Sequence, residues 1–107
     1  MESGKDWLRR ATRNCLQDLD GPKKYDQMKR IVEGVKRRGG EIKAGGSCSE
    51  GFVELASRRV PVEGIEQTDR VCVPRQLFAQ AEGEGWLADL EKSAEICLDW
   101  LHLDYKK

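Results

Sequence analysis

The sequence has one histidine, His102, and three prolines in 107 residues. No apolar run approaches the roughly 18 residues that a membrane-spanning helix needs. No two cysteines stand in a C-x-x-C spacing, and with 19 Lys/Arg against 19 Asp/Glu the chain has no net charge. Each shortage removes a class of function. A single imidazole leaves little from which to build a Ser-His-Asp or Cys-His centre, and no G-x-S-x-G elbow supplies a nucleophile. On a helical wheel His102 falls on the polar side near Glu95 and Asp99, where a solvated histidine is the ordinary reading. Gly45-Gly46 is followed by Ser47-Cys48-Ser49 rather than by the lysine and Ser/Thr of a phosphate-cradling loop, so it reads as a connector. A zinc site would have to combine Cys97 and His102 with two distant ligands. No metal and no cofactor are expected, and the chain does not read as an enzyme.

The opening stretch MESGKDWLRR lacks the apolar core of a secretory signal. Position 2 is Glu2, not the glycine of an N-myristoylation site. An intracellular, cytoplasmic setting is therefore expected, at most at the inner face of a membrane. In such a setting Cys15, Cys48, Cys72 and Cys97 are expected as free thiols. Cys15 and Cys97 fall on apolar helix faces, where cysteine acts as a small hydrophobe.

What is present is a helical framework. The length fits a single domain over 1–107. Trp7, Leu8, Ala11, Cys15, Leu16 and Leu19 recur at helical spacing, predicting a helix over 5–19 with Ser3 and Asp6 as a weak capping pair. Asp20-Gly21-Pro22 ends it. Pro22 suits the first position of a second helix over 22–38, which carries Tyr25, Met28, Ile31, Val32 and Val35 on one face and stops at Gly39-Gly40. A third clear helix spans 86–103, with Trp86, Leu87, Leu90, Ala94, Cys97, Trp100 and Leu101 in one stripe. Between these, Ser47 and Glu50 form a capping pattern for a short helix through Phe52, Val53, Leu55 and Ala56, stopped by Pro61. A strand through the same residues is the rival reading. Residues 61–70 read as an exposed acidic loop, Val71-Cys72-Val73 as a short β-like piece, and Pro74 as the start of a short helix with Leu77 and Phe78 inside. The expected fold is all-α, a compact bundle of four to five helices around Trp7, Ile31, Trp86 and Trp100.

Charge is segregated along the chain. Residues 1–60 hold 14 Lys/Arg against 9 Asp/Glu, a balance of +5, and residues 61–107 hold 5 against 10, a balance of −5. The segment 21–40, GPKKYDQMKRIVEGVKRRGG, carries seven of the cations. Lys23, Lys29, Arg30, Lys36 and Arg37 lie opposite the apolar stripe of the second helix, and Lys24 stands at its start. Asp26 and Glu33 lie among them at spacings that allow i,i+3 and i,i+4 pairs, each contributing about 0.2–0.5 kcal/mol. Arg9, Arg13 and Arg10 line the polar side of the first helix. If the two helices are neighbours, these nine cations form one candidate surface for an anionic partner. No aromatic is interleaved with them as a base-stacking platform.

Lys23-Lys24-Tyr25 followed by Met28-Lys29-Arg30-Ile31-Val32 resembles the basic segment that opens the second helix of lentiviral Gag matrix domains. Ser49-Glu50-Gly51 is similar to a tripeptide in some members, and Ile96-Cys97 with Trp100 before His102 suits the family's last core helix. The resemblance covers about twenty residues well. It implies a helical bundle whose basic face docks on the inner membrane leaflet. The expected function is thus a non-enzymatic binding domain meeting an anionic lipid surface. An adaptor that docks on an acidic protein or self-associates through its basic and acidic ends is the second reading, and a DNA- or RNA-binding domain the third.

Overall fold

A computed structural model describes residues 4–17 and 22–105. Its element order is α1 (Gly4–Gln17), α2 (Pro22–Arg37), β1 (Glu41–Ala44), β2 (Phe52–Val62), β3 (Ile65–Pro74), α3 (Arg75–Glu84) and α4 (Leu87–Tyr105). The fold is mixed α/β, and the all-α bundle is corrected: the three strands form one antiparallel sheet in the order β1-β3-β2. The long helices stand as the periodicity predicts. Ser3, Leu19, Asp20 and Gly21, which frame the first helix in the sequence, lie outside the described residues. Gly39 has φ of 89°, and Gly40 N–H donates to Val35 O at 2.9 Å, so the α2 stop is the left-handed glycine cap the sequence offers. Pro74 does precede a short helix, α3.

The errors fall in the middle, for identifiable reasons. Phe52, Val53, Leu55 and Ala56 fit helical spacing, yet they belong to β2. The register of β2 against β3 slips between Glu54 and Ala56, so Leu55 is an extra bulged residue. Val53 and Ala56 lie opposite Val73 and Val71. Leu55 packs against both buried apolar clusters, and Ala56 against the one that includes Val71. The bulge thus converts a period of two into an apparent period near 3.6. Residues 61–70 are no loop but the turn of a hairpin and most of β3. Val62 pairs with Ile65, and the intervening Glu63 and Gly64 both have positive φ, 52° and 80°, which makes the two-residue type I′ turn of tight hairpins. Glutamate is a rare first residue there, which hid the signal.

One face of the sheet carries the core. Met28, Ile31, Val32 and Val35 of α2, Val71 of β3 and Ala94, Ile96, Cys97 and Leu98 of α4 form one buried cluster with Cys15, and Leu8, Val73, Ala81, Trp86 and Leu90 form a second. Trp86 and Ile31 are buried as expected, whereas Trp7 and Trp100 are half-buried. Trp100 stacks obliquely on Tyr25, ring centroids 6.2 Å apart. The opposite face of the sheet is polar and is crossed by the connection from β1 to β2. That connection is fastened by a disulfide between Cys48 and Cys72, whose Cα atoms are 5.8 Å apart. It is also held by Arg70, which donates to Gly46 O and pairs through Nε with Glu54 at 2.8 Å. The expectation of four free thiols is corrected for this pair. Across 24 residues nothing in the spacing announces it; only the antiparallel fold of β1 onto β3 brings the two together.

Trp7 locks α1 to α2. Its indole lies on Gly34, where a Cβ would overlap Cζ2 and Cη2 of the ring. The Arg38 guanidinium sits 3.8 Å from the ring centroid and donates to Gly34 O at 3.2 Å. In an ordinary exposed helix Gly→Ala gains about 1 kcal/mol. Here Gly34→Ala is expected to lose about 1–3 kcal/mol through overpacking. In a Trp7→Ala background the same change should regain its stabilising sign, a double-mutant cycle readable by urea denaturation.

Candidate functional site

The nine candidate cations occupy four environments. Because Gly34 faces Trp7, the Gly34 side of α2 is the side next to α1. At about 100° per residue, Lys23, Arg30 and Arg37 lie roughly 20–60° around from Gly34, on the outer surface beside α1. Lys29 and Lys36 lie roughly 140–160° away, on the far flank. Lys24 is half-buried. On α1, Arg10 and Arg13 turn outward from the Trp7 side. The structure therefore brings Arg10, Lys23, Arg30 and Arg37 towards one surface, sets Arg13 at its edge where α1 turns towards α4, and separates Lys29 and Lys36 from it. Asp26 and Glu33 share the outer side and dilute it. The intrahelical pairs these acids offer are not closed: among the described residues Lys23, Lys29, Arg30, Lys36 and Arg37 enter no ion pair.

Arg9 goes elsewhere. Its Nε donates to Asp89 of α4 at 2.8 Å. It lines an open groove of about 450 Å³ between α1 and α4 together with Thr12, Arg13, Leu16, Gln17, Asp89 and Lys92. Lys92 is a groove cation that the sequence reading missed, because it sits in the acidic half of the chain and no local spacing ties it to Arg9 and Arg13. Two hydroxyls are buried in this region. Ser93 Oγ donates to Leu90 O at 2.6 Å. Thr12 is only 5% exposed, yet its Oγ1 has no hydrogen-bond partner among the described residues. A helical threonine ordinarily bonds a carbonyl one turn back, and a buried hydroxyl left unpaired costs about 1–3 kcal/mol. Leu16, at 45%, is one of the few large apolar side chains left exposed.

Ion pairs tie the basic and acidic halves of the sequence together, so the charge dipole along the chain partly closes on itself. Besides Arg9 and Asp89, Arg58 of β2 donates to Asp99 Oδ1 at 2.5 Å and Glu95 Oε2 at 3.0 Å. Burial works against the Arg58 charge, and the bonds and charges of Asp99 and Glu95 overcome it, so its pKa stands above the ordinary value. His102 is half-buried, with a solvent-shielded Nδ1 that has no partner, not the solvated histidine expected. Among the described residues no group of three His, Cys, Asp or Glu side chains is disposed to hold a metal. Among the described residues no helix is long and apolar enough to cross a membrane.

No known protein family, curated protein or solved structure significantly matches the chain. Its function has to be argued from its own surfaces.

Cys15 and Cys97 remain thiols and are buried. Burial pushes the Cys97 thiol up to about 12, with the nearby Lys36 charge acting against the shift and Cys15 adding to it. A thiol so protected is a poor nucleophile. The folded group keeps its proton to about 12 while the unfolded one releases it near 9.0. Its contribution to stability is therefore complete below pH 9 and is lost as pH rises towards 12. At 1.36 kcal/mol per unit, about 2 kcal/mol should disappear between roughly pH 8 and pH 10.5. Cys97→Ala should remove that component of the alkaline loss in denaturant titrations at the two pH values. A thiol reagent should find two reactive cysteines in denaturant and none in the native protein.

Proposed function

We propose that this chain is a non-enzymatic binding module whose outer α1/α2 surface docks on an anionic membrane surface. The observation that supports the reading is the convergence of Arg10, Arg13, Lys23, Arg30 and Arg37 from two helices. Arg13, Lys23, Arg30 and Arg37 have no ion-pair partner among the described residues. Acids three or four residues away on a helix can pair with such cations. Here Asp26 and Glu33 stand at those spacings, yet no ion pair joins them to these cations among the described residues.

The physical requirements of a lipid surface suit this arrangement. Each cation near an anionic leaflet contributes about 1 kcal/mol, falling off within a Debye length. Several acting together give reversible adsorption without insertion. The principal dimensions of 43 × 35 × 19 Å describe a slab, and a slab can lay a broad face against a plane.

The placement of the cations yields a test within one helix. Arg30→Glu with Arg37→Glu should weaken flotation with vesicles of phosphatidylserine in phosphatidylcholine by about thirty-fold or more, from about 2 kcal/mol of lost attraction. Lys29→Glu with Lys36→Glu changes net charge equally but on the far flank, and should weaken it much less. All four positions are exposed, so stability should shift by only about 0.5 kcal/mol per change. Equal losses from the two double variants would show that only net charge matters. No loss from either would leave the cations as a solubilising face and favour an acidic protein partner.

A further inference from the structure

The α1/α4 groove shares Arg13 with the docking surface and is otherwise distinct from it in three features. Its charged lining is Arg9, Arg13 and Lys92 against the single carboxylate of Asp89, an excess of two positive charges. Asp89 engages Arg9 through Nε, which fixes the guanidinium and leaves its two terminal nitrogens to meet a second anion. Thr12 is 5% exposed, lines the same groove and has an Oγ1 without a partner among the described residues, while the neighbouring buried Ser93 hydroxyl is satisfied. Leu16 adds an exposed apolar wall. At about 450 Å³ the groove falls in the range of small-molecule sites, well beyond what a bare inorganic anion would fill.

We propose that this groove binds a phosphomonoester, its phosphate held by Arg9, Arg13 and Lys92, its organic part lying against Leu16, and Thr12, whose Oγ1 is shielded from solvent, rotating about χ1 to donate its hydroxyl. A phosphomonoester carries a charge near −2 at neutral pH and presents three acceptor oxygens. That charge matches the groove's excess, and its acceptors suit arginine, ammonium and hydroxyl donors, none of which can be served by an apolar ligand. Leu16 favours an ester over bare phosphate, because only the organic part can cover its exposed side chain. The inference does not rest on the membrane reading: the two share Arg13 alone, and Arg30 and Arg37 take no part in the groove.

The test is calorimetric titration of the full chain with phenyl phosphate, inorganic phosphate and phenol, together with flotation on vesicles containing phosphatidic acid. Phenyl phosphate should bind, inorganic phosphate should bind at least tenfold more weakly, and phenol should give no heat. Lys92→Gln and Thr12→Val should each weaken phenyl phosphate binding by about tenfold. Thr12→Val should at the same time raise the melting temperature, because it removes an unpaired buried hydroxyl. A purely structural role for Thr12 predicts the opposite sign. Arg30→Glu with Arg37→Glu should leave phenyl phosphate binding unchanged. Binding of phenyl phosphate assigns the groove to a soluble ester. Retention on phosphatidic acid vesicles that is lost in Lys92→Gln, without binding of phenyl phosphate, assigns it to a lipid headgroup of the same chemistry. Equal binding of phenol and phenyl phosphate, failure of both phosphate sources, or affinity unchanged by both Lys92→Gln and Thr12→Val overturns the proposal.

Discussion

Everything in this fold is arranged around the burial of α4. Ile96, Cys97 and Leu98 are consecutive and all buried, with Leu90, Ser93 and Ala94 buried in the preceding turns. Three successive buried residues span about 200° of the helix, so α4 buries a broad face and leaves exposed a stripe through Glu91, Lys92, Glu95 and Asp99. It meets β2 and β3 on one side and α1, α2 and α3 on the others. Several polar groups beside this buried face take specific partners. Asp99 and Glu95 take Arg58, Asp89 takes Arg9, and Ser93 turns back on its own backbone. The ion pair to Arg9 also fixes one wall of the α1/α4 groove, so the helix that forms the core also shapes the candidate site.

What could be read from the sequence follows the same division. α1, α2 and α4 each bury a broad stripe, and a stripe survives as periodicity whatever it packs against. The cap at Gly39 is equally local, because a left-handed residue requires glycine irrespective of tertiary context. The hairpin was not legible. Leu55 is a bulge and so erases the two-residue period. The core side of β3 near the turn carries Gln67 and Asp69 in place of apolar residues. Asp69, only 1% exposed, is satisfied there by Gln67 Nε2 at 2.9 Å, a bond that no hydropathy pattern registers. The Cys48–Cys72 bridge depends on strand order and was invisible for that reason.

The candidate surface was legible in composition but not in geometry. Nine cations could be named, yet their division among an outer face, a far flank, a half-buried position and a groove depends on which side of α2 meets α1. One glycine decides that. Gly34 lets the Trp7 ring approach the helix backbone, and the position of every other α2 side chain follows from that contact at a fixed angular step. The groove required more. Lys92 joins Arg9 and Arg13 only because α1 crosses α4, and the significance of Thr12 lies in a hydrogen bond it does not make.

These two features do different physical work, and Arg13 stands between them. An exposed cationic face acts through the solvent: it attracts over a Debye length, weakens with salt, and discriminates little among anions. A partly enclosed groove with a buried, unpaired donor acts only at contact. There the desolvation cost falls on any ligand that cannot return a hydrogen bond, so the groove selects by chemistry rather than by charge alone. A chain with no net charge has no global field to steer its partners. It has instead closed part of its cross-half charge into Arg58 with Asp99 and Glu95 and into Arg9 with Asp89, leaving Arg13, Lys23, Arg30, Arg37 and Lys92 without an ion pair among the described residues. The local excess is therefore a consequence of the packing around α4, not of composition, and it persists only while α1 stays pinned to α2 by Trp7 and to α4 by Arg9.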